Sequence, residues 1–484
     1  MPSAVPSQLR ERTEGSDESR FTFPQVVMKR RIARRGDCGP STTVGSVKSM
    51  SSHFPAVRSR TVPLKTRTLW WQLGALSLAL SAMAGTGCEP SPREHVLDDV
   101  DVGRVEAGVS TASGTLGGKA VWAYFNNPPA FGGVDPTITQ EVKRLIDQTP
   151  AGATIRAAIH SVSNTGIADA LLAAQSRGVT VYVVMDAKNA STGYAAVETL
   201  KQLANAKFCT NASGGGGCIS TSAAGNMHTK LFTFSQTRDP NGVLCPAVSW
   251  ISSANLTGAS GTEAFNNAVV IYDASTLYDG LNANFTDMWN RKHYSGNDYY
   301  DSASGRGYYM ANPADAYASP EGVGETDTIV TRLNDITPDA NCRIRIGMSF
   351  VTTGRPALLS QIKSMKAGGC SVWMVVSGNA TEGIDMAPSV YNELLGAGVA
   401  IRRKDKVHDK FFAIYGKFGT AYHYRIYTGS QNWSQDALNE NEELFVKLAP
   451  ESGTVHPIYD AYVGHFNDAY NSGVTCTKTN YPCK

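Results

Sequence analysis

The sequence predicts an α/β protein of two similar lobes, and three observations carry that prediction. Strand-like and helix-like stretches alternate at the spacing of α/β layers around a sheet. The alternation occurs twice, once on each side of a stretch at 296–325 rich in Gly, Ser, Asp and Tyr. Each round ends in the same polar pattern, a His-x-Lys and then a small-Ser-x-Asn turn. At 484 residues the chain holds two or three domains, each with its own core.

The elements follow in order. Residues 154–159 (Thr-Ile-Arg-Ala-Ala-Ile) read as a strand, Ile167 to Arg177 as a helix, and Val179 to Met185 as a buried strand. Gly178 ends that helix as a glycine C-cap. The second half repeats the unit with Cys342 to Met348, Pro356 to Lys366 and Ser371 to Val376, with Gly368 and Gly369 at the helix stop. A further helix follows in each half, Tyr194 to Ala204 and Ser389 to Gly396, ahead of the His-x-Lys strand.

The polar constellations are His228-Thr229-Lys230 with Ser253-Ala254-Asn255, and His408-Asp409-Lys410 with Ser430-Gln431-Asn432. The step from His to Asn is 27 positions in the first and 24 in the second. Residues i and i+2 of a strand share a face, so His and Lys of each pair are expected to project together. Two imidazoles, two ammonium groups and two carboxamides at one point suit a phosphodiester. One His attacks, the other protonates, and the cations hold the oxygens.

These duplicated motifs resemble the phospholipase D superfamily, over roughly residues 118–472. The resemblance implies two phospholipase D-like lobes, each a mixed sheet flanked by helices, with the active site at a pseudo-two-fold interface. It implies catalytic roles for His228 and His408, one forming a phosphohistidine and the other acting as acid and then base. It implies phosphate binding by Lys230, Lys410, Asn255 and Asn432, with the lysines standing where other phosphodiesterases use a metal. No cofactor and no metal are expected. Ser253 and Ser430 are assigned to supporting the turns. The family pattern has an Asp five positions after each Lys, where this chain has Ser235 and Tyr415. That departure points to a divergent branch.

Relatives also supply an acid after the turn, serving the histidine of the other half. Glu443 matches by spacing, whereas the first half has Asn266 there. On that pattern Glu443 supports His228, which becomes the nucleophile and His408 the acid. Trp250 and Trp433 flank the turns and are read as core rather than cleft. The glycines from Gly214 form no phosphate cradle, because no Gly-Lys-Ser/Thr follows.

Charge is divided unevenly. Residues 1–87 hold 13 Lys/Arg against 5 Asp/Glu, leaving 31 against 37 in the rest, within an overall +2. An acidic body tilts against a nucleic-acid binder. Arg58, Arg60, Lys65 and Arg67 precede an apolar run from Leu69 to Ala82, the order of a secretory signal. Its exit is either Ala82-Met83-Ala84 or a lipoprotein site with Cys88 as the lipidated residue. Export permits disulfides. Cys209 with Cys218, Cys342 with Cys370 and Cys476 with Cys483 are plausible pairs, which leaves Cys245 over.

The organisation read from sequence is an extension at 1–49, disordered or ahead of a true start at Met50. A signal or lipoprotein leader at 50–88 and a linker at 89–117 follow. Lobe 1 spans 118–295, a connection 296–325, lobe 2 326–475 and a tail 476–484. The expected protein is an exported monomer, periplasmic, outer-membrane-attached or secreted, working at a membrane surface. The resemblance implies hydrolysis of glycerophospholipids of the phosphatidylcholine type to phosphatidic acid and the head-group alcohol. Two alternatives stay open, a nuclease or other phosphodiesterase of the same superfamily, and a non-catalytic envelope lipid-binding protein. A cardiolipin synthase fits less well, because no further long apolar segment follows residue 88.

Overall fold

The computed structural model describes residues 109–129, 133–311, 314–379, 384–449, 455–480 and 483. The extension at 1–49, the leader at 50–88 with Cys88, and the linker up to residue 108 lie outside the described residues.

Two mixed sheets dominate. The first is built from β1 (Thr111–Leu116), β2 (Lys119–Asn126), β3 (Thr154–Ile159), β4 (Thr180–Met185), β5 (Asn205–Phe208), β6 (Lys230–Arg238), β7 (Leu244–Ser252) and β8 (Asn266–Ile271). The second contains β9 (Tyr308–Tyr309), β10 (Ala314–Ala318), β11 (Ile336–Thr337), β12 (Arg343–Met348), β13 (Ser371–Asn379) and β14 (Ile384–Asp385). It is completed by β15 (Ala400–Lys404), β16 (Lys410–Phe418), β17 (Ala421–Gly429), β18 (Leu444–Leu448) and β19 (Val474–Thr475).

The first sheet runs β1-β2-β8-β7-β6-β3-β4-β5. The second runs β9-β10-β18-β17-β16-β12-β13-β15, with β19 beyond β15 and with β11 and β14 attached at the side. Eight strands therefore occur in the same order in both lobes. In each, the strand bearing the motif lysine lies antiparallel to the first strand of the βαβ unit: Ile159 pairs with Lys230, and Met348 with Lys410.

Why these strands are apolar on both faces follows from the packing. Alternate residues of β6 and β16 serve two cores, as the two-residue strand period requires. Leu231, Phe411 and Ala413 join a central core shared by the two sheets. Phe232 and Phe234 face the outer core of lobe 1, and Phe412 and Ile414 that of lobe 2. Both sheet faces are thus covered. Helix Pro457–Asn471 reaches across as well, Pro457 and Ile458 lying over Gly114 of β1.

Most elements read from the sequence form, including helices Thr165–Ser176 and Pro356–Ala367, ended by Gly178 at φ 90° and Gly369 at φ 111°. Three differences stand out. The helix expected from Tyr194 spans only Ala195–Leu200, since the chain must turn to begin β5 at Asn205. The stretch read as linker contains β1, and the stretch read as connection contains β9 and β10. β1 and β9 are the equivalent outermost strands of the two lobes and β10 is the counterpart of β2; β9 is two residues long, and β1 and β10 are poor in large apolar residues. The three cysteine pairs form as expected, and Cys245 is disulfide-bonded too rather than left over. Among the described residues no helix is long and apolar enough to cross a membrane.

Candidate active site

Both motif histidines lie just ahead of their strands rather than within them. β6 starts at Lys230 and β16 at Lys410, so each histidine is fixed by backbone bonds from the opposite lobe instead. His228 N–H donates to the Glu442 carbonyl at 3.0 Å, and His408 N–H to the Phe265 carbonyl at 2.9 Å. Met227 bridges Glu442 and Val407 bridges Phe265 in parallel fashion. The two crossings are equivalent, and they bring the motifs face to face.

Each histidine also takes its side-chain partner from the other lobe. His228 Nδ1 lies 2.7 Å from Glu443 Oε2, and His408 Nδ1 lies 2.9 Å from Asn266 Oδ1. The turn serines hold those partners. Ser430 Oγ donates to Glu443 Oε2 at 2.6 Å, and Ser253 Oγ to Asn266 Oδ1 at 2.9 Å. Asn266 Nδ2 donates to the Ser260 and Ala264 carbonyls, which leaves its oxygen toward His408. Such partners fix the tautomer and orientation of an imidazole. The structure thus sets Ser253 and Ser430 against the partners of the histidines, beyond their place in the turns.

The lysines fold back on the motif. Lys230 Nζ donates to the His228 carbonyl and Lys410 Nζ to the His408 carbonyl, both at 2.6 Å. Burial pushes the Lys410 ammonium down to about 7, against the opposing pull of Glu443 and Asp409. Lys230 is also depressed, by burial and then by Lys410 and Lys188, with Glu443 opposing. His228 is held well below its ordinary value by burial, Lys230 and Lys410, and His408 by burial, Lys410, Lys230 and His228. These cross-lobe influences show the four groups sharing one small region. Burial raises Glu443 to about 8, while Lys230 and Lys410 favour its charged form.

Asn255 and Asn432 follow the turns as expected, each with a buried Oδ1 that has no hydrogen-bond partner. Asn255 Nδ2 donates to Ser260 Oγ at 3.1 Å, and Ser260 Oγ lies 3.5 Å from both ring nitrogens of His408. The second turn is anchored by Arg355, which is bidentate to Asp327 and donates to the Asn432 carbonyl at 3.2 Å. Trp250 and Trp433 are fully buried in the outer cores. Ser235, at one position of the family aspartate, accepts the Thr154 N–H at 2.8 Å.

Sequence reading missed His160 and Lys188. His160 caps β3 and packs edge-on against His228, with centroids 4.3 Å apart. A polar residue ending an otherwise apolar strand was the available signal, and Ser349 ends β12 in the same way. One His/Cys/Asp/Glu cluster has ligand spacing among the described residues, Cys209, Cys218 and Glu442. Its sulfurs are spent in the disulfide, so no thiolate is offered to a metal.

The fold and duplicated site define a phospholipase D-type protein. The chain belongs to the family described as "Cardiolipin synthase, PLD-like domain", which matches residues 142–289 and 336–468. It is accordingly a member of the phospholipase D superfamily, whose members act as phosphodiesterases or phosphotransferases. No curated protein sequence matches it. Similar solved structures include a polyphosphate kinase from Porphyromonas gingivalis, 12% identical with a TM-score of 0.45, covering 75% of this chain and 50% of that one. The chain thus spans half the length of that kinase. Another is Nuc, a phospholipase D family member from Salmonella typhimurium, 21% identical with a TM-score of 0.25 over 34% and 97%. A third is a phosphatidylserine synthase from Haemophilus influenzae Rd KW20, 10% identical with a TM-score of 0.48 over 73% and 87%.

Proposed function

We propose that the site hydrolyses a phosphodiester in two displacements, with His228 as nucleophile and His408 as acid and then base. The contact between His228 Nδ1 and Glu443 at 2.7 Å carries this reading. It leaves Nε2 for attack and supplies negative charge to the imidazolium that forms once phosphorus is bonded there. His408 Nδ1 instead faces the neutral Asn266 carboxamide, with the neutral Ser260 hydroxyl 3.5 Å away, and these orient its ring without fixing its charge. In the first step the N–P bond forms, the leaving-group P–O bond breaks, and the His408 proton passes to the departing oxygen. In the second, water gives a proton to His408 and displaces His228 from phosphorus.

Lys230 and Lys410 hold the non-bridging oxygens, and the carboxamides of Asn255 and Asn432 complete the cradle. An anion among them restores the ammonium and imidazolium forms that burial disfavours. We assign a glycerophospholipid of the phosphatidylcholine type as substrate and an exported location, on the motif resemblance and the leader-like segment. A second reading, a nuclease or other diester hydrolase on this fold, is favoured by the extra basic groups His160 and Lys188 beside His228.

The test is choline release from phosphatidylcholine vesicles by the full chain with a chelator present, beside His228→Ala and His408→Ala. Chelator-resistant release, lost in both variants, supports the two-histidine phospholipase. Cleavage of other diesters without choline release moves the substrate to the second reading. No turnover of any diester overturns the mechanism.

A further inference from the structure

Two basic residues beyond the paired set, His160 and Lys188, stand on the His228 side of the site. His160 directly follows β3, and Lys188 sits on the 3-10 turn Ala187–Ser191 after β4. Ile159 pairs with Met185 in the first lobe, as Met348 pairs with Val376 in the second. The positions equivalent to His160 and Lys188 are therefore Ser349 and Asn379, both neutral.

His160 is 9% exposed, whereas Lys188 is exposed and reaches in from the rim. Its Nζ makes a close contact with His160 Nε2, and Lys230 Nζ stands 3.5 Å from His160 Nδ1. A neutral imidazole has one lone pair and one N–H. It can accept from one of these ammonium groups, but it then points its N–H at the other. Protonating it makes both contacts repulsive. Burial, His228, Lys230 and Lys188 all hold it neutral. Asp186, whose charge draws on both lysines, already spends its carboxylate oxygens on the N–H groups of Lys188 and Met227. Three hydrogen-bond donors thus converge, and a bridging anion turns their repulsion into attraction.

We propose that His160 and Lys188 form an anion subsite beside the reacting phosphate, taking a second phosphate carried by the half of the substrate that stays on His228. The inference rests on the two-histidine reading. The retained half is indicated because His160 packs against His228, with centroids 4.3 Å apart, and holds Lys188 and Lys230 at its two ring nitrogens, which sets the subsite on the His228 side. In-line displacement sends the leaving oxygen away from His228, toward His408. The subsite therefore deepens the second reading, a diester hydrolase on this fold, since a diacylglycerol half has no second anion to offer. A diester whose retained half bears another phosphate, as in any repeating phosphodiester chain, does.

Two thymidine diesters isolate this group, thymidine 5′-(p-nitrophenyl phosphate) with and without a 3′-phosphate. Both expel p-nitrophenolate, so the thymidylyl half is retained. The full chain should favour the 3′-phosphorylated compound by about tenfold in kcat/KM, the scale of one charge-assisted contact. Lys188→Met should bring that ratio near one and Lys188→Arg should keep it. Lys188 is exposed, so the fold tolerates both; His160→Gln should lower the ratio as well. A ratio unmoved by Lys188→Met overturns the subsite and leaves the two-histidine reading intact. Should neither compound turn over, calorimetry of propane-1,3-diyl bisphosphate against propyl phosphate reads the subsite alone. Tighter bisphosphate binding that Lys188→Met abolishes supports the subsite and faults the reading. Equal binding of the two overturns the subsite.

Discussion

At His228 the Nδ1 atom faces a carboxylate from the second lobe; at the equivalent atom of His408 it faces a carboxamide from the first. Much of the framework around this pair is duplicated. The backbone crossing, the serine that holds the partner, the lysine curled onto its histidine's carbonyl and the asparagine after the turn occur in both lobes. The comparison teaches that a two-fold scaffold becomes directional through very few substitutions. One acid-for-amide exchange gives the histidines different charge environments, and two further basic residues, His160 and Lys188, crowd the wall beside His228.

The sharpest way to break the comparison is to remove each histidine. His228→Ala should lower kcat by ~10⁴-fold or more, with no phosphoryl group trapped on the protein. His408→Asn should cost ~10²- to 10⁴-fold, the usual worth of an acid–base group, and should let a labelled phosphohistidine accumulate. Acid-quench labelling followed by peptide mapping decides it. Label on His408 would exchange the two roles.

Equalising the partners is the next test. Glu443→Gln should reduce kcat by roughly 10²-fold, by withdrawing the negative charge from the phosphorylated imidazole. The reverse change, Asn266→Asp, should raise the pKa of His408, since a carboxylate favours the protonated ring. The alkaline limb of the pH–rate profile then moves to higher pH. A profile that stays in place would deny His408 the part of acid.

A smaller effect separates the lysines. Lys410 loses its proton through about 7, so the unliganded site loses positive charge as the pH rises across that value. KM measured from pH 6 to 9 should therefore increase toward the alkaline end, and Lys410→Met should flatten that rise while raising KM throughout.

The smallest effect concerns Glu442, which supports the His228 crossing. Its Oε1 accepts the N–H groups of Ile219 and Ser220 beside the Cys209–Cys218 disulfide. Burial lifts its carboxyl to about 8 from an ordinary value of 4.5. A folded-state pKa above the unfolded one means stability that is present at low pH and lost as pH rises through the folded value. Glu442→Gln should therefore show a shallower fall in Tm between pH 5 and 8 than the wild type. An identical slope would mean that the carboxyl ionises without cost.

Legibility differed between the duplicated and the singular parts. The βαβ units could be read because Thr154–Ile159 and Arg343–Met348, with the strands beside them, are apolar runs ended by glycine-capped helices. β1, β9 and β10 could not, because β9 is two residues long and β1 and β10 carry few large apolar residues to mark them as strands. The six motif side chains could be read because each trio appears twice. His160, Lys188, Ser260 and Arg355 appear once, and a lone polar residue has no pattern to mark it.

By itself, the sequence determined the two-lobed α/β architecture and the identity of the paired His, Lys and Asn side chains, since periodicity and duplication are properties of the chain. Only the tertiary structure set the backbone crossings and distances at which each histidine meets the other lobe, because Met227 meets Glu442 and Phe265 meets Val407 across more than a hundred residues of chain. The tertiary structure also decided the site's polarity. Charge acts through space, so the Glu443 carboxyl at His228, the Asn266 carboxamide at His408 and the nearness of His160 to His228 take effect only once the two sheets have packed.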